Sequence, residues 1–156
     1  LVWLAFFTSP ESPTQPTQTA TPSSAPDFKL TDVDGNVFRL SEQRGKVVVI
    51  EFMQTSCPAC ISQEPNLREL RSKFGSDVVT LIVSVNPSDT DSVLRKHRDD
   101  NLIGWIAMGD RDQVYKQYSV ESTPMIFIID KNGYIQYQHV GVTESAVLIS
   151  EVDSLT

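Results

Sequence analysis

Thr55-Ser56-Cys57-Pro58-Ala59-Cys60-Ile61-Ser62-Gln63-Glu64-Pro65 holds both cysteines of a 156-residue chain, with only Pro58 and Ala59 between them. A bridge stabilises mainly by closing a long loop in the unfolded chain, and a loop from Cys57 to Cys60 is too short for that. Half of a zinc site is the other reading of C-x-x-C. Zinc would need two more ligands, yet there is no third cysteine, and His97 and His139 lie far apart with no finger-like spacing. The pair therefore reads as a couple that opens and closes.

Its surroundings fit that chemistry. Lys46 to Met53 is a continuous β-branched run, as expected of a central strand covered on both faces. Ile61 to Phe74 has helical spacing, with Leu67, Leu70 and Phe74 on one side, Pro65 expected to kink it and Gly75 ending it. The cysteines thus open a helix at the carboxyl end of a strand, where functional groups of open α/β sheets gather. Unpaired N–H groups and the positive end of the helix dipole favour a thiolate there, and the thiolate is the nucleophile. Cys57, nearer the exposed end, is the better attacker, and Cys60, one turn in, resolves the product. Pro58 needs no hydrogen-bond partner in the first turn and fixes its backbone.

Asp27 to Leu40 alternates apolar and polar residues about Asp34-Gly35 and reads as a β-hairpin. Downstream, the pattern predicts a strand over 78–85, a helix from Ser88 to about Asp99 capped by Ser88 or Asp89, a short strand over 103–108 and a helix over 110–118. Strands over 125–129 and 134–140, joined by an Asp130–Gly133 turn, and a last helix from Thr143 or Glu144 to about Leu155 complete the pattern. Strands alternating with helices and closed by a hairpin imply an α/β domain of three layers with a mixed sheet. Residues 26–156 form that domain.

The preceding residues differ in kind. Residues 1–7 are all apolar, and 8–25 are almost entirely Thr, Ser, Pro, Gln and Ala, too polar to offset the entropy of ordering. The expectation is a disordered linker behind the end of an apolar anchor or signal segment, although seven residues fall far short of the roughly 20 of a spanning helix. An arbitrary chain boundary is the alternative. Thirteen Lys and Arg against twenty Asp and Glu give a net charge of −7 without a basic cluster, which argues against nucleic acid and anionic bilayer surfaces as partners.

Two further residues stand out. Glu51 is a lone carboxylate in an apolar strand; buried, it would be an acid with raised pKa, whereas at the strand end it would reach solvent. Pro124 precedes the apolar strand from Met125, and its bond to Thr123 is one of the few that can be cis.

Together, Glu51 six positions before Cys57, Pro65 five after Cys60, and Pro124 before a strand resemble the thioredoxin superfamily over Ala25 to the C-terminus. The Asp27–Leu40 hairpin, the added strand and helix between Val78 and Tyr118, Thr123, and Phe127–Gly133 resemble its TlpA/ResA-like, AhpC/TSA-related branch. The resemblance implies a thioredoxin-like three-layer fold with a central mixed β-sheet, flanking helices and an N-terminal hairpin. It also implies thiol-disulfide exchange in which Cys57 attacks, Cys60 resolves with help from Glu51 through a water, and Thr123 beside a cis Pro124 holds the substrate strand. Ser56 and Pro58 would border that substrate.

By the same resemblance, the partners are protein thiols or disulfides, such as an apocytochrome, and a membrane-linked or thioredoxin-type electron donor. The location is extracytoplasmic, with an N-terminal membrane tether. No cofactor beyond the redox-active disulfide and no metal are expected, and a monomer is the expected state. The departures are Ser56 where many relatives carry Trp, Gln63 where some carry Glu, and no Lys within Val78–Val85 to face the buried acid.

Two rivals come from related groups. A peroxiredoxin-like peroxidase would carry Thr three positions before its reactive cysteine, where this chain has Gln54. A Sco-like copper-binding chaperone would space its cysteines C-x-x-x-C and add a histidine. His139 instead reads as a solvent-facing residue of its strand.

Overall fold

A computed structural model describes residues 21–156. The apolar segment 1–7 and most of the expected linker lie outside the described residues.

The strands are β1 (Ser23–Ser24), β2 (Lys29–Thr31), β3 (Val37–Arg39), β4 (Val47–Met53), β5 (Val78–Ser84), β6 (Ile106–Gly109), β7 (Met125–Ile129) and β8 (Tyr134–Val140). The helices are α1 (Pro58–Phe74), α2 (Asp91–Asp100), α3 (Val114–Gln117) and α4 (Ser145–Asp153). Six strands form one sheet in the order β1-β8-β7-β4-β5-β6, with β4 parallel to β5 and antiparallel to β7. The mixed central sheet of the sequence reading is therefore present.

Every residue of β4 is buried, because both faces are covered. Val48, Ile50 and Phe52 pack with Phe28, Leu30, Phe38 and Leu40 of the hairpin region and with Val114 and Tyr118. Val47, Val49 and Met53 pack on the other face with Leu67 and Leu70 of α1, Leu94 of α2, and Leu148 and Val152 of α4. Strand alternation puts Glu51 on this second, helix-covered face. The hairpin β2–β3 turns at Asp34-Gly35, where Gly35 takes φ +86° and Asp32 accepts from the Asn36 N–H at 2.9 Å.

Several boundaries differ from the sequence reading. The linker expected over 8–25 ends earlier: Ser23–Ser24 pair with Ile135 and Tyr134 of β8, and Ala25 is buried, because the edge of β8 supplies the backbone partners that Ser and Ala side chains cannot. Helix α2 starts at Asp91 with Thr90 as cap, Thr90 Oγ1 accepting from Val93 N–H at 3.3 Å. Ser88 and Asp89 remain outside it. The helix expected over 110–118 is one turn, because Asp110 spends both carboxylate oxygens on the N–H groups of Val114 and Tyr115, each at 2.8 Å. Helix α1 continues through Pro65 as one element.

Candidate active site

Helix α1 begins at the carboxyl end of β4, and Cys57 is its N-cap, with Pro58 at the first helical position. Cys57 and Cys60 form a disulfide with Cα atoms 5.2 Å apart. Cys57 Sγ also accepts the Cys60 backbone N–H at 3.2 Å, so the attacking sulfur lies where the helix presents unpaired donors and the dipole stabilises negative charge. The two sulfurs differ in access. Cys57 is half-buried beside exposed Ser56 and Pro58, whereas Cys60 is fully enclosed.

The loop leading to Cys57 is fixed from α2's side of the fold. Asp89 is buried and accepts from Thr55 N–H at 2.9 Å, from Thr55 Oγ1 at 2.6 Å and from Ser84 Oγ at 2.6 Å. These bonds tie the approach to the cysteines to the end of β5.

Opposite the disulfide, the Thr123–Pro124 bond is cis. Cys57 Sγ lies 3.6 Å from the Thr123 carbonyl oxygen, and Gln54 Nε2 donates to Thr123 Oγ1 at 3.4 Å. Pro124 lacks an N–H and directly precedes β7. Beside it opens a cleft of about 270 Å³ bordered by Gln54, Pro87, Tyr115, Glu121 and Thr123. A larger concavity holding Asp32, Arg71, Arg98 and Trp105 lies at the starts of β5 and β6, the end of the sheet away from Cys57.

Glu51 does not reach solvent. It is 1% exposed in mid-strand, between Ile82 of β5 and Ile126 of β7, and among the described residues neither carboxyl oxygen has a hydrogen-bond partner. Desolvation, with the nearby Glu64 charge as a second cause, pushes its pKa well above the ordinary carboxyl range. The buried reading of Glu51 holds because α1 covers the strand to its end.

Cys57, Cys60, Thr123 and Pro124 thus meet at one end of the sheet, with Glu51 buried in β4 two residues before that strand ends. The AhpC/TSA family profile matches residues 22–138. The chain belongs to the AhpC/TSA family. Within it, the sequence is 36% identical over 124 residues to the thiol-disulfide oxidoreductase ResA of Geobacillus kaustophilus, covering 79% of this chain and 71% of that one. It is 25% identical over 130 residues to the thioredoxin-like protein YneN of Bacillus subtilis, covering 83% and 76%. The fold matches a thiol:disulfide interchange protein of Chlorobium tepidum with a TM-score of 0.77, at 22% identity and over 87% and 97% of the two chains. It also matches the exposed lipoprotein thioredoxin of Streptococcus pneumoniae with a TM-score of 0.72, at 26% identity and over 83% and 100%. The chain is a ResA-like thiol-disulfide oxidoreductase of thioredoxin fold.

Sequence reasoning about this oxidoreductase missed three things near the site. His139 is not a free, solvent-facing side chain: its Nε2 pairs with Glu151 Oε2 of α4 at 2.7 Å. Gln63 is fully buried and joins Thr143 through two hydrogen bonds. Glu64, also buried, pairs with His97 of α2. Only the buried polar positions at i+3 and i+4 from Cys60 hinted at the last two, and their partners lie 80 and 33 residues away.

Proposed function

We propose that this oxidoreductase exchanges electrons with protein dithiols and disulfides outside the cytoplasmic membrane, through the Cys57–Cys60 couple. The observation that carries the reading is the asymmetry of the two sulfurs: Cys57 is accessible and faces the Thr123 carbonyl before cis-Pro124, while Cys60 is sealed behind it. An extended substrate segment can pair with the backbone ahead of β7 and bring its own sulfur to Cys57.

In the reducing direction, Cys57 thiolate attacks one sulfur of a substrate disulfide, forming a mixed disulfide and expelling the second substrate sulfur as a thiolate. Cys60 then gives up its proton, for which Glu51 in its ionised form is the acceptor, and attacks Cys57 Sγ. The Cys57–Cys60 disulfide forms, the remaining substrate sulfur leaves as a thiolate, and the substrate has gained two electrons. The same steps reversed oxidise a dithiol.

The apolar residues 1–7 and the Thr/Ser/Pro segment after them support a tethered, extracytoplasmic location, and one similar structure is that of an exposed lipoprotein. The substrate class follows from the resemblance: an extracytoplasmic protein such as an apocytochrome, with a membrane-linked or thioredoxin-type donor restoring the dithiol.

Cys60→Ser provides the test. The variant is expected to accumulate a mixed disulfide between Cys57 and a protein partner in an extracytoplasmic fraction, and Cys57→Ser none. Failure of Cys57 to form any protein mixed disulfide would sink the proposal. The potential of the wild-type couple assigns direction: about −270 mV marks a reductase and about −120 mV an oxidase.

A further inference from the structure

Cys60, Glu64 and Leu67 recur at the spacing of one helix face, and all three are buried against the sheet face that carries Glu51. Glu64 therefore lies one turn behind the resolving cysteine and on the side of the buried acid. Its side chain is 3% exposed, and Oε1 meets His97 Nε2 of α2 at 2.5 Å. The His97 side chain is 10% exposed. Glu51, Glu64 and His97 thus share the layer behind Cys60 with mostly apolar side chains, the buried polar exceptions on that side including Thr80 and Glu151.

We propose that His97 is a positioning residue for the exchange reaction, acting through Glu64 to set the charge that faces Glu51. A carboxylate beside Glu51 opposes a second negative charge in the same low-dielectric layer. An imidazolium on Glu64 cancels most of that opposition; a neutral imidazole does not. His97 thereby couples the proton affinity of the buried acid to a side chain at the edge of the fold.

Burial is the larger influence on Glu51, and Glu64 is the neighbouring charge that adds to it. Ile82 and Ile126 flank it on the sheet, and Leu148 and Val152 come from α4. Beyond Ile126 on the same rung is His139, engaged by Glu151. Around His97 itself, Asp89 and Asp100 add negative charge, and Asn101 Nδ2 lies 3.4 Å from Nδ1. Those groups and the Glu64 hydrogen bond favour the imidazolium, against partial burial. Arg68 of α1 is occupied by the Asn101 carbonyl at 2.8 Å.

The proposal rests on Glu51 serving Cys60, and two readouts keep the ideas separable. The first is the Glu51 side-chain carboxyl titration, followed by NMR in glutamate-labelled protein and assigned by its loss in Glu51→Gln. His97→Gln is expected to raise its midpoint by about one pH unit and Glu64→Gln to lower it by less, because the imidazolium already cancels most of the Glu64 charge. The double variant should titrate like Glu64→Gln alone, because His97 then has no anion to neutralise. An unmoved midpoint in both single variants overturns the coupling, as does an equal His97 effect with and without Glu64. If Glu64→Gln does not fold, His97→Gln alone decides by the same criterion.

The second readout is the pH profile of disulfide reduction by the full chain. It is expected to move with the carboxyl midpoint and to lose that limb in Glu51→Gln. A moved titration with an unmoved rate profile upholds the charge coupling and sinks Glu51 as the proton acceptor for Cys60.

Discussion

Gln63 and Thr143 are joined by two hydrogen bonds: Gln63 Nε2 donates to the Thr143 carbonyl at 2.9 Å, and Gln63 Oε1 accepts the Thr143 N–H at 2.6 Å. One buried amide thus satisfies both backbone groups of a residue in the segment between β8 and α4. That segment also closes on the active site, since Gly141 N–H donates to the Pro124 carbonyl at 2.9 Å. The helix carrying the cysteines and the loop beside the cis proline are held together through this side chain.

Gln63→Ala leaves a buried N–H and a buried C=O without partners, and each unsatisfied group costs about 1–3 kcal/mol. A loss of roughly 2–4 kcal/mol in denaturant unfolding is expected. Gln63→Glu, the residue some relatives carry here, keeps the shape but as a carboxylate can only accept, so the Thr143 carbonyl loses its donor. It also adds a carboxyl to the layer that holds Glu51 and Glu64. The expected loss is therefore larger at pH 8 than at pH 5, where a protonated carboxyl can donate; equal losses at the two pH values would contradict this account.

Asp89 should matter to rate as well as to stability. Its carboxylate takes three hydrogen bonds from Thr55 and Ser84, two of them at the loop that delivers Cys57. Asp89→Ala strands buried donors at that loop, with an expected cost of about 2–4 kcal/mol. Released from β5, the loop places Cys57 less accurately against Thr123, so disulfide reduction is expected to slow about tenfold or more under conditions where the variant is still folded. Stopped-flow measurement of mixed-disulfide formation checks this, with unfolding curves on the same samples.

The parts legible in the sequence were those written in local pattern. Strands β7 and β8 fall on Met125–Ile129 and Tyr134–Val140, as the apolar run and the turn between them imply. The hairpin was legible from Asp34-Gly35, and the cysteine pair from its place between a β-branched run and a helix. What escaped were side chains with distant partners. Asp89 resembles a helix cap by composition, but it turns back to Thr55, so α2 starts at Asp91 under Thr90. Asp110 likewise folds its own following residues into a cap, which shortens α3 to one turn. No periodicity could decide whether Glu51 reached solvent, because that depends on where α1 lies over β4. The pairing of Glu64 with His97 depends on the same placement and on that of α2.

Glu51 makes the fold less stable as pH rises. Its folded pKa is raised by desolvation, so the unfolded chain releases the proton first, near 4.5, while the folded protein retains it. Each pH unit in that interval costs about 1.4 kcal/mol at most, until the folded group ionises too. Glu51→Gln removes the titration. Its advantage over wild type is expected to be near zero at pH 4 and to grow as pH rises above 4.5, until the folded group ionises, in thermal or denaturant unfolding. Parallel stability curves above pH 4.5 would show that Glu51 is not held protonated. The same variant is expected to slow resolution of the mixed disulfide, so stability and activity move in opposite directions.

His97 acts in the same sense at higher pH. Its pKa is raised in the folded protein, chiefly by the Glu64 hydrogen bond, from an ordinary value of 6.5. The ion pair's contribution is therefore fully present below about pH 6.5, where imidazole is protonated in both states, and is lost as pH rises through the higher folded value. His97→Gln should cost stability at pH 5.5 and progressively less toward pH 8.5, so the variant's stability approaches that of wild type from below. The histidine Cε1 proton shift gives an independent check, with a midpoint above 6.5 in wild type that drops toward or below it in Glu64→Gln. A His97 midpoint at or below 6.5 in the wild-type protein would mean that the Glu64 contact does not hold the imidazolium.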